Sequence, residues 1–487
     1  MDRGLIFRLL GQLSVAFTGI LVIPLLAALI EDFEHVMLFV WSILCSSTLA
    51  FVFLSLGGSR PNQRLRTREA LAVVGCGWLL VCLLGALPYL WGGILDPVTA
   101  IFESVSGFTT TGVTTARSFE EFPKSILVWR CLTHWCGGIG VIMLFIIIMP
   151  QVNGGTSTMF NAEMPGGFAE RTLPRIRKSA AMICGVYFIM TCIELFLLLL
   201  GSVPVYQAIN LALATMATGG FSYYHADLVS FHSVYVEIVA IIFMLIASMN
   251  FSLYYRAFQG DWKFIRDESE YKYYLGVLAL ASVCLTANLY SSNYNNYSFW
   301  QCLRYGIFHA VSIGSTTGFA ADDFNNWPSF SRYVLFMLMF IGGCSGSTAG
   351  GIKISRMVVL AKAAWSELLR ILHPNIIYSI KFGHRIVEPQ RVGNITRFFF
   401  LYIIVFLILT LAISLTGMGI MDSMGLIAAC LSSVGPAFGI VGPTSTYADL
   451  SIYGRIVTII AMILGRLEIF TLLIIARPSF WSQKRNW

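Results

Sequence analysis

Runs of about twenty apolar residues recur along this chain, too many and too long for a soluble core to bury. Ten are read: 9–30, 36–57, 70–92, 125–150, 179–201, 231–255, 273–292, an interrupted 330–364, 393–417 and 451–477. Composition agrees. Hydrophobic residues make up 57% of the 487, charged residues 12%, and mean hydropathy is +0.75. A soluble domain carries about 25% charged residues. These features predict an all-α integral membrane protein. The first run is too long for a removable signal peptide and lacks a clear cleavage site, so it reads as a retained span.

Positive charge falls on every second loop. Arg60, Arg64, Arg66 and Arg68 follow the second run; Arg171, Arg175, Arg177 and Lys178 precede the fifth; Arg256, Lys263, Arg266 and Lys272 follow the sixth. Residues 353–397 hold eight Lys or Arg, while 202–232 and 418–452 hold none. The bias puts the basic loops and both termini in the cytoplasm. It accounts for most of the net charge of +7 and does not indicate a nucleic-acid partner. The eleven cysteines show no chelating spacing, and those in the apolar runs act as small hydrophobes.

The outward loops are more informative. Four carry an apolar stretch too short to cross, ending in a turn of small residues: Thr110-Thr111-Gly112-Val113-Thr114, Thr218-Gly219-Gly220-Phe221-Ser222, Thr316-Thr317-Gly318-Phe319-Ala320 and Ser433-Val434-Gly435-Pro436-Ala437. One run precedes each and another follows. The unit of span, half-helix, glycine turn and span thus occurs four times, at intervals near one hundred residues. Two N-terminal helices (1–69) lie outside it. The units fall at 70–160, 161–260 with its preceding cytoplasmic loop, 261–380 with a broken inner helix, and 381–487.

Irregular backbone at membrane depth is tolerated only when buried in protein or lining a watery cavity. Four such turns can surround one axis, where carbonyl oxygens replace an alkali cation's hydration shell. Hydroxyls of Thr and Ser add ligands, and the negative end of each half-helix dipole faces the ion. Oxygen ligands without clustered carboxylates suit a monovalent cation. One such turn alone would read as a plain connection; four in matched context read as a pore.

A second irregularity is Phe340–Arg356, "FIGGCSGSTAGGIKISR". It divides the apolar run 330–364 with a flexible polar segment, placed in the inner helix of the third unit below Gly318. It is expected to unwind into the ion path as a gate built from Gly342, Gly343, Cys344, Ser345, Gly346, Ser347, Thr348, Ala349, Gly350, Gly351 and Lys353. Arg466, an intramembrane cation in the last span, is placed to hold it closed or to repel ions, and otherwise reads as packed on helix-end carbonyls. Lys353 is expected to snorkel to the cytoplasmic interface. Glu103 is read as raising cation concentration at the mouth or, in preference, as holding its half-helix through backbone amides, Glu194 and Glu237 as packed on polar partners, and Asn250 as an interhelical hydrogen-bonder. Glu468, two residues from Arg466, faces elsewhere on a helix. Residues 156–170 and 373–391 offer cytoplasmic docking surfaces.

These residues carry a resemblance. The segments TTTGVT (109–114), WCGGIGVIML (135–144), NAEMPGG (161–167), ATGGFS (217–222), STTGF (315–319), IGGCSGSTAGGIK (341–353) and GRLEIFT (465–471) resemble the Trk/Ktr/HKT superfamily of potassium transport proteins. The similarity is greatest to the bacterial Trk-type membrane subunit and covers nearly the whole chain. It implies a pseudo-fourfold pore with two extra N-terminal helices in the bacterial inner membrane. It also implies a homodimer and a cytosolic regulatory ring of nucleotide-binding (NAD/ATP-type) subunits. Gly112, Gly220, Gly318 and Gly435 would be the filter glycines, with K+ the transported and bound ion. In that superfamily a serine at the first of these goes with sodium permeation; glycine here favours potassium. The turns depart from TVGYG in every unit, which implies modest selectivity. No organic cofactor is expected in this chain.

Two other classes fit the sequence less well. A cation-coupled (H+ or Na+) potassium symporter would also use broken helices, but transporter repeats usually come in two halves. An enzyme lacks support: there is no HExxH, no Ser/His/Asp set on one span, and no nucleotide loop at a strand-to-helix junction, since no strands are read.

Overall fold

The chain opens on two long helices, α1 (Arg3–Glu31) and α2 (Val36–Gly57), packed along each other. Small residues set their separation. A β-carbon on Gly57 would lie 2.7 Å from that of Arg8, and one on Gly11 would lie 2.9 Å from the Leu54 side chain. Thr18 and Ser46 hydroxyls bond across the pair at 2.8 Å. Outward, the pair exposes Ile23, Leu26, Phe51 and Leu56, the surface expected of helices solvated by lipid rather than water. The computed structural model describes residues 1–58, 66–117, 122–140, 173–221, 233–373, 379–383, 385–467 and 469–481.

Outer helices follow: α3 (Thr67–Gly85), α6 (Leu173–Leu200), α10 (Glu270–Ser291) and α14 (Pro389–Ser414). Each leads to a short helix: α4 (Pro97–Phe108), α7 (Val205–Met216), α11 (Phe299–Gly314) and α15 (Ile420–Leu431). The starts of these half-helices are encoded locally. Asp96 caps α4 through Thr99 N–H at 3.2 Å, with Pro97 next, where a missing N–H costs nothing. The Thr99 hydroxyl, then its amide and that of Val98, and Arg455 hold the Asp96 carboxyl below its ordinary range. Ser298 and Gln301 form a reciprocal capping box on α11.

Inner helices close each unit: α5 (Lys124–Ile139), α8 (Val234–Ser248), α12 (Ser329–Phe340) and α16 (Ile452–Arg466). All four stop short, and this differs from the sequence reading, in which only 330–364 is interrupted. The span read at 231–255 bends by 96° between α8 and α9 (Phe251–Phe258). The span read at 451–477 breaks at Leu467, and α5 ends at Gly140 with φ +83°. Asn250, read as an interhelical bonder, instead caps α9 by accepting from Ser252 N–H at 2.9 Å.

By length and composition, six described helices can cross a membrane, or eight if each bent pair counts as one span. The ten-span expectation is met only in part among the described residues. The strandless expectation also yields in a small way. Ile341–Gly342 pairs in parallel with Ile352–Lys353, so the polar segment between them is a pinched loop. It leads into α13 (Ile354–Leu372).

Candidate functional site

The four half-helices end alike. The N–H groups of Thr110, Thr218, Thr316 and Ser433 donate back to Gly107, Thr215, Ile313 and Cys430, at 3.0, 2.9, 3.0 and 3.3 Å. The next N–H groups, of Thr111, Gly219, Thr317 and Val434, reach Ser106, Ala214, Ser312 and Ala429, at 3.0, 3.0, 3.0 and 2.8 Å. This is the Schellman pattern, which needs a left-handed residue between helix and exit. Glycine is the usual choice. Here the positions are Thr110, Thr218, Thr316 and Ser433, with φ of 54°, 51°, 59° and 55°. A left-handed residue with a side chain costs about 1–2 kcal/mol, and a β-branched one is a true outlier. Such strain persists where surroundings over-determine it, typically at functional sites. Two residues on, Gly112, Gly220, Gly318 and Gly435 also have positive φ (79°, 72°, 80° and 100°).

The turns touch in a closed circuit. A β-carbon on Gly112 would lie 2.0 Å from the carbonyl oxygen of Gly219; on Gly220, 2.1 Å from that of Thr317; on Gly318, 1.9 Å from that of Val434; and on Gly435, 2.5 Å from that of Thr111. Four carbonyl oxygens therefore alternate with four glycine α-carbons. Only glycine permits both the conformation and the approach. The surrounding residues Val113, Phe221 and Phe319 are buried, and Pro436 Cδ packs against the Gly318 position. Ser222 lies outside the described residues.

Inner-helix glycines bring their helices up to the half-helix ends. A β-carbon on Gly137 would lie 2.1 Å from the Phe108 carbonyl oxygen, and one on Gly465 would lie 2.2 Å from that of Leu431. The breaks beneath leave helix-end carbonyls without intrahelical partners. Residues 343–351 supply them. Cys344 N–H bonds Ser248 O at 2.9 Å, and Thr348 Oγ1 bonds Ala247 O at 3.0 Å and Met216 O at 3.2 Å. Gly350 N–H reaches the Thr316 hydroxyl at 2.8 Å, so the loop sits directly against a turn. Glu270, at the start of α10, holds it from the other side through Ser345 N–H (2.8 Å) and Oγ (3.0 Å).

Arg466 meets the loop as expected, and the packed alternative holds too. Its Nη1 bonds Thr348 O at 3.1 Å and the Thr110 hydroxyl at 3.3 Å; its Nη2 bonds Gly138 O at 3.1 Å and also Gly137 O. One guanidinium thus ties the loop, the first turn and the end of α5, where a cation is favoured by the dipole. Lys353 does not snorkel. Its Nζ donates to Ala349 O at 2.5 Å, within the loop. A cavity of about 90 Å³, space for about three waters, separates the loop from Tyr402, Phe398 and Leu467.

Glu103 accepts from Thr115 N–H at 2.7 Å and from the hydroxyls of Thr114 and Thr115, so it anchors the exit of the first turn. Glu237 pairs with Arg304 at 2.5 and 2.6 Å. Glu194 is buried beside Thr215. Glu468, residues 156–170 and part of 373–391 lie outside the described residues.

The sequence reading missed Arg130 and His134, four apart on α5. The Arg130 guanidinium lies 3.8 Å from the Phe221 ring and pairs with Glu103 at 3.4 Å. The His134 ring stacks on Phe221 with centroids 3.8 Å apart. Their i, i+4 spacing was the available signal.

The family model for TrkH, described as a cation transport protein, matches residues 38–289 and 291–485. The Trk system potassium uptake protein TrkH of Salmonella typhimurium is 33% identical over 489 residues, covering 98% of this chain and 99% of that one. The TrkH of Halomonas elongata is 31% identical, covering 99% and 100%. The crystal structure of the potassium transporter TrkH from Vibrio parahaemolyticus superposes with a TM-score of 0.88 at 30% identity, covering 99% of this chain and all of that one.

Proposed function

Since this chain belongs to the TrkH family of cation transport proteins, we propose that it is the potassium-uptake subunit of a Trk-type system in the cytoplasmic membrane. The observation carrying this reading is the strained left-handed Thr or Ser repeated at the end of four half-helices, with glycines in mutual contact. Four such ends in a pseudo-fourfold arrangement form a filter at residues 110–113, 218–221, 316–319 and 433–436. The repeats are those read at 70–160, 161–260, 261–380 and 381–487, flanked by the two N-terminal helices, with both termini cytoplasmic. K+ sheds water at the carbonyls and hydroxyls and passes inward. The membrane potential drives it, supplying about 2.3 kcal/mol per charge per 100 mV.

Residues 342–351 with Lys353 are the gate, and their contacts with Arg466 are those of its closed position. The contacts of Arg466 support this: its charge sits below the first turn, where it repels a cation, and its bond to Thr348 O fastens the loop. Opening requires exchanging those bonds for water. A homodimer and a cytosolic nucleotide-binding partner complete the proposed assembly.

Purified protein in planar bilayers tests the reading. K+-carried current with a bi-ionic reversal potential favouring K+ over Na+ is expected; equal permeability overturns it. A cation-coupled symporter predicts a turnover far below channel rates and a flux that follows the H+ or Na+ gradient.

A further inference from the structure

Backbone bonds at the four turns repeat fourfold, but their side-chain supports repeat only twofold. The glycine contacts run from the first turn to the second, third and fourth and back, so the first and third face each other across the circuit. In these two, three supports recur at matched positions. Seven residues before the left-handed threonine, Glu103 accepts the exit-strand N–H of Thr115 at 2.7 Å, and His309 Nε2 lies 3.4 Å from the Ala321 amide nitrogen and 3.1 Å from the Asp322 carbonyl oxygen. Four residues before it, the hydroxyls of Ser106 and Ser312 donate to the carbonyl oxygens of Val113 and Phe319, both at 2.6 Å. On either side of it, hydroxyls pair as Thr109 with Thr111 and Ser315 with Thr317, both at 2.8 Å. Apart from Asp322, the twelve residues named here are all buried.

The second and fourth turns lack the set. The matching residues are Leu211 and Leu426, then Ala214 and Ala429, then Ala217 with Gly219 and Ser432 with Val434. The Ser432 hydroxyl turns instead to Tyr402 at 2.9 Å. These turns are held from other elements: Phe221 by Arg130 and His134, and the Gly435 carbonyl by the Tyr447 hydroxyl at 2.9 Å.

We propose that the first and third turns are the rigid diagonal that sets ion selectivity, with Glu103, Ser106, His309 and Ser312 as its positioning residues. The inference rests on the filter reading above. For the site to shrink from the size of K+ to that of Na+, peptide planes next to the filter glycines must rotate. A carbonyl gripped at 2.6 Å by its own half-helix resists that rotation. Two facing turns so gripped fix the width across one diagonal, while the other pair adapts to the ion.

The test is the K+/Na+ permeability ratio of the full chain in bilayers, with thermal stability of the purified protein measured alongside. Ser106→Ala and Ser312→Ala are each expected to lower the ratio about threefold while K+ current persists, the change one ordinary hydrogen bond carries. Ser106→Cys and Ser312→Cys, which keep a weak donor, are expected to fall between and remain informative if an alanine variant fails to assemble. Leu211→Ala and Leu426→Ala are expected to lower stability through lost packing and leave the ratio unmoved. An unchanged ratio in both serine positions, or an equal shift in the leucine variants, overturns the proposal. Absence of K+ current from the unaltered chain overturns the filter reading itself, and this inference with it.

Discussion

At Gly112, Gly220 and Gly318 an added methyl would sit about 2 Å from a neighbouring carbonyl oxygen, against 2.5 Å at Gly435. All four also need positive φ. Gly112→Ala, Gly220→Ala and Gly318→Ala are therefore expected to abolish K+ uptake, while Gly435→Ala keeps a measurable fraction; complementation of a potassium-requiring strain at graded external K+ ranks them. The turn glycines were legible in the sequence because each ends an apolar stretch too short to cross. The residue two before each was legible only as a hydroxyl. That it is left-handed contradicts ordinary threonine preference, and only the ring of neighbours enforces it. The contact of Arg130 with Phe221 was illegible for a plainer reason: the two lie about ninety residues apart, and nothing local pairs them.

Elements broke where local composition is mute. The glycine-rich segment after Phe340 announced itself, but Ser248-Met249-Asn250 and Arg466-Leu467 read as ordinary helix. Those breaks are stabilised by the loop and by one another, through carbonyls that would otherwise be buried without partners. Glu270 shows the same limit: it grips Ser345 from 75 residues away. Glu270→Gln replaces charged hydrogen bonds with neutral ones, a loss of about 1 kcal/mol. It is expected to raise basal K+ flux about fivefold in liposomes. Arg466→Ala removes the loop's bond and the charge together, and deletion of Gly346–Gly350 removes most of the loop; on the gate proposal, each is expected to raise flux by more than Glu270→Gln. Flux at the level of the unaltered chain in all three reduces the loop to a structural plug.

For the whole molecule, one ion pair ties distant helices together. Glu237 on α8 and Arg304 on α11 join the second and third units, with Glu237 nearly buried and Arg304 about one-third exposed. Arg304→Ala leaves that carboxylate unpaired, which costs up to about 3–5 kcal/mol when fully buried and less here. A lower melting temperature in detergent is expected, with the K+/Na+ ratio unchanged. The membrane class and the succession of long and short apolar helices were legible because hydropathy is additive along a chain. The circuit was not, since it depends on which repeat meets which.

That circuit closes between Gly435 and Thr111, at opposite ends of the repeat series. During synthesis, at about 5–20 residues per second, the first three turns emerge and wait. Until the fourth is inserted, the carbonyl of Thr111 and the α-carbon of Gly318 face a gap. Three of the four turns can be in the bilayer without a closed circuit, and the contact that closes it forms only near the end of translation.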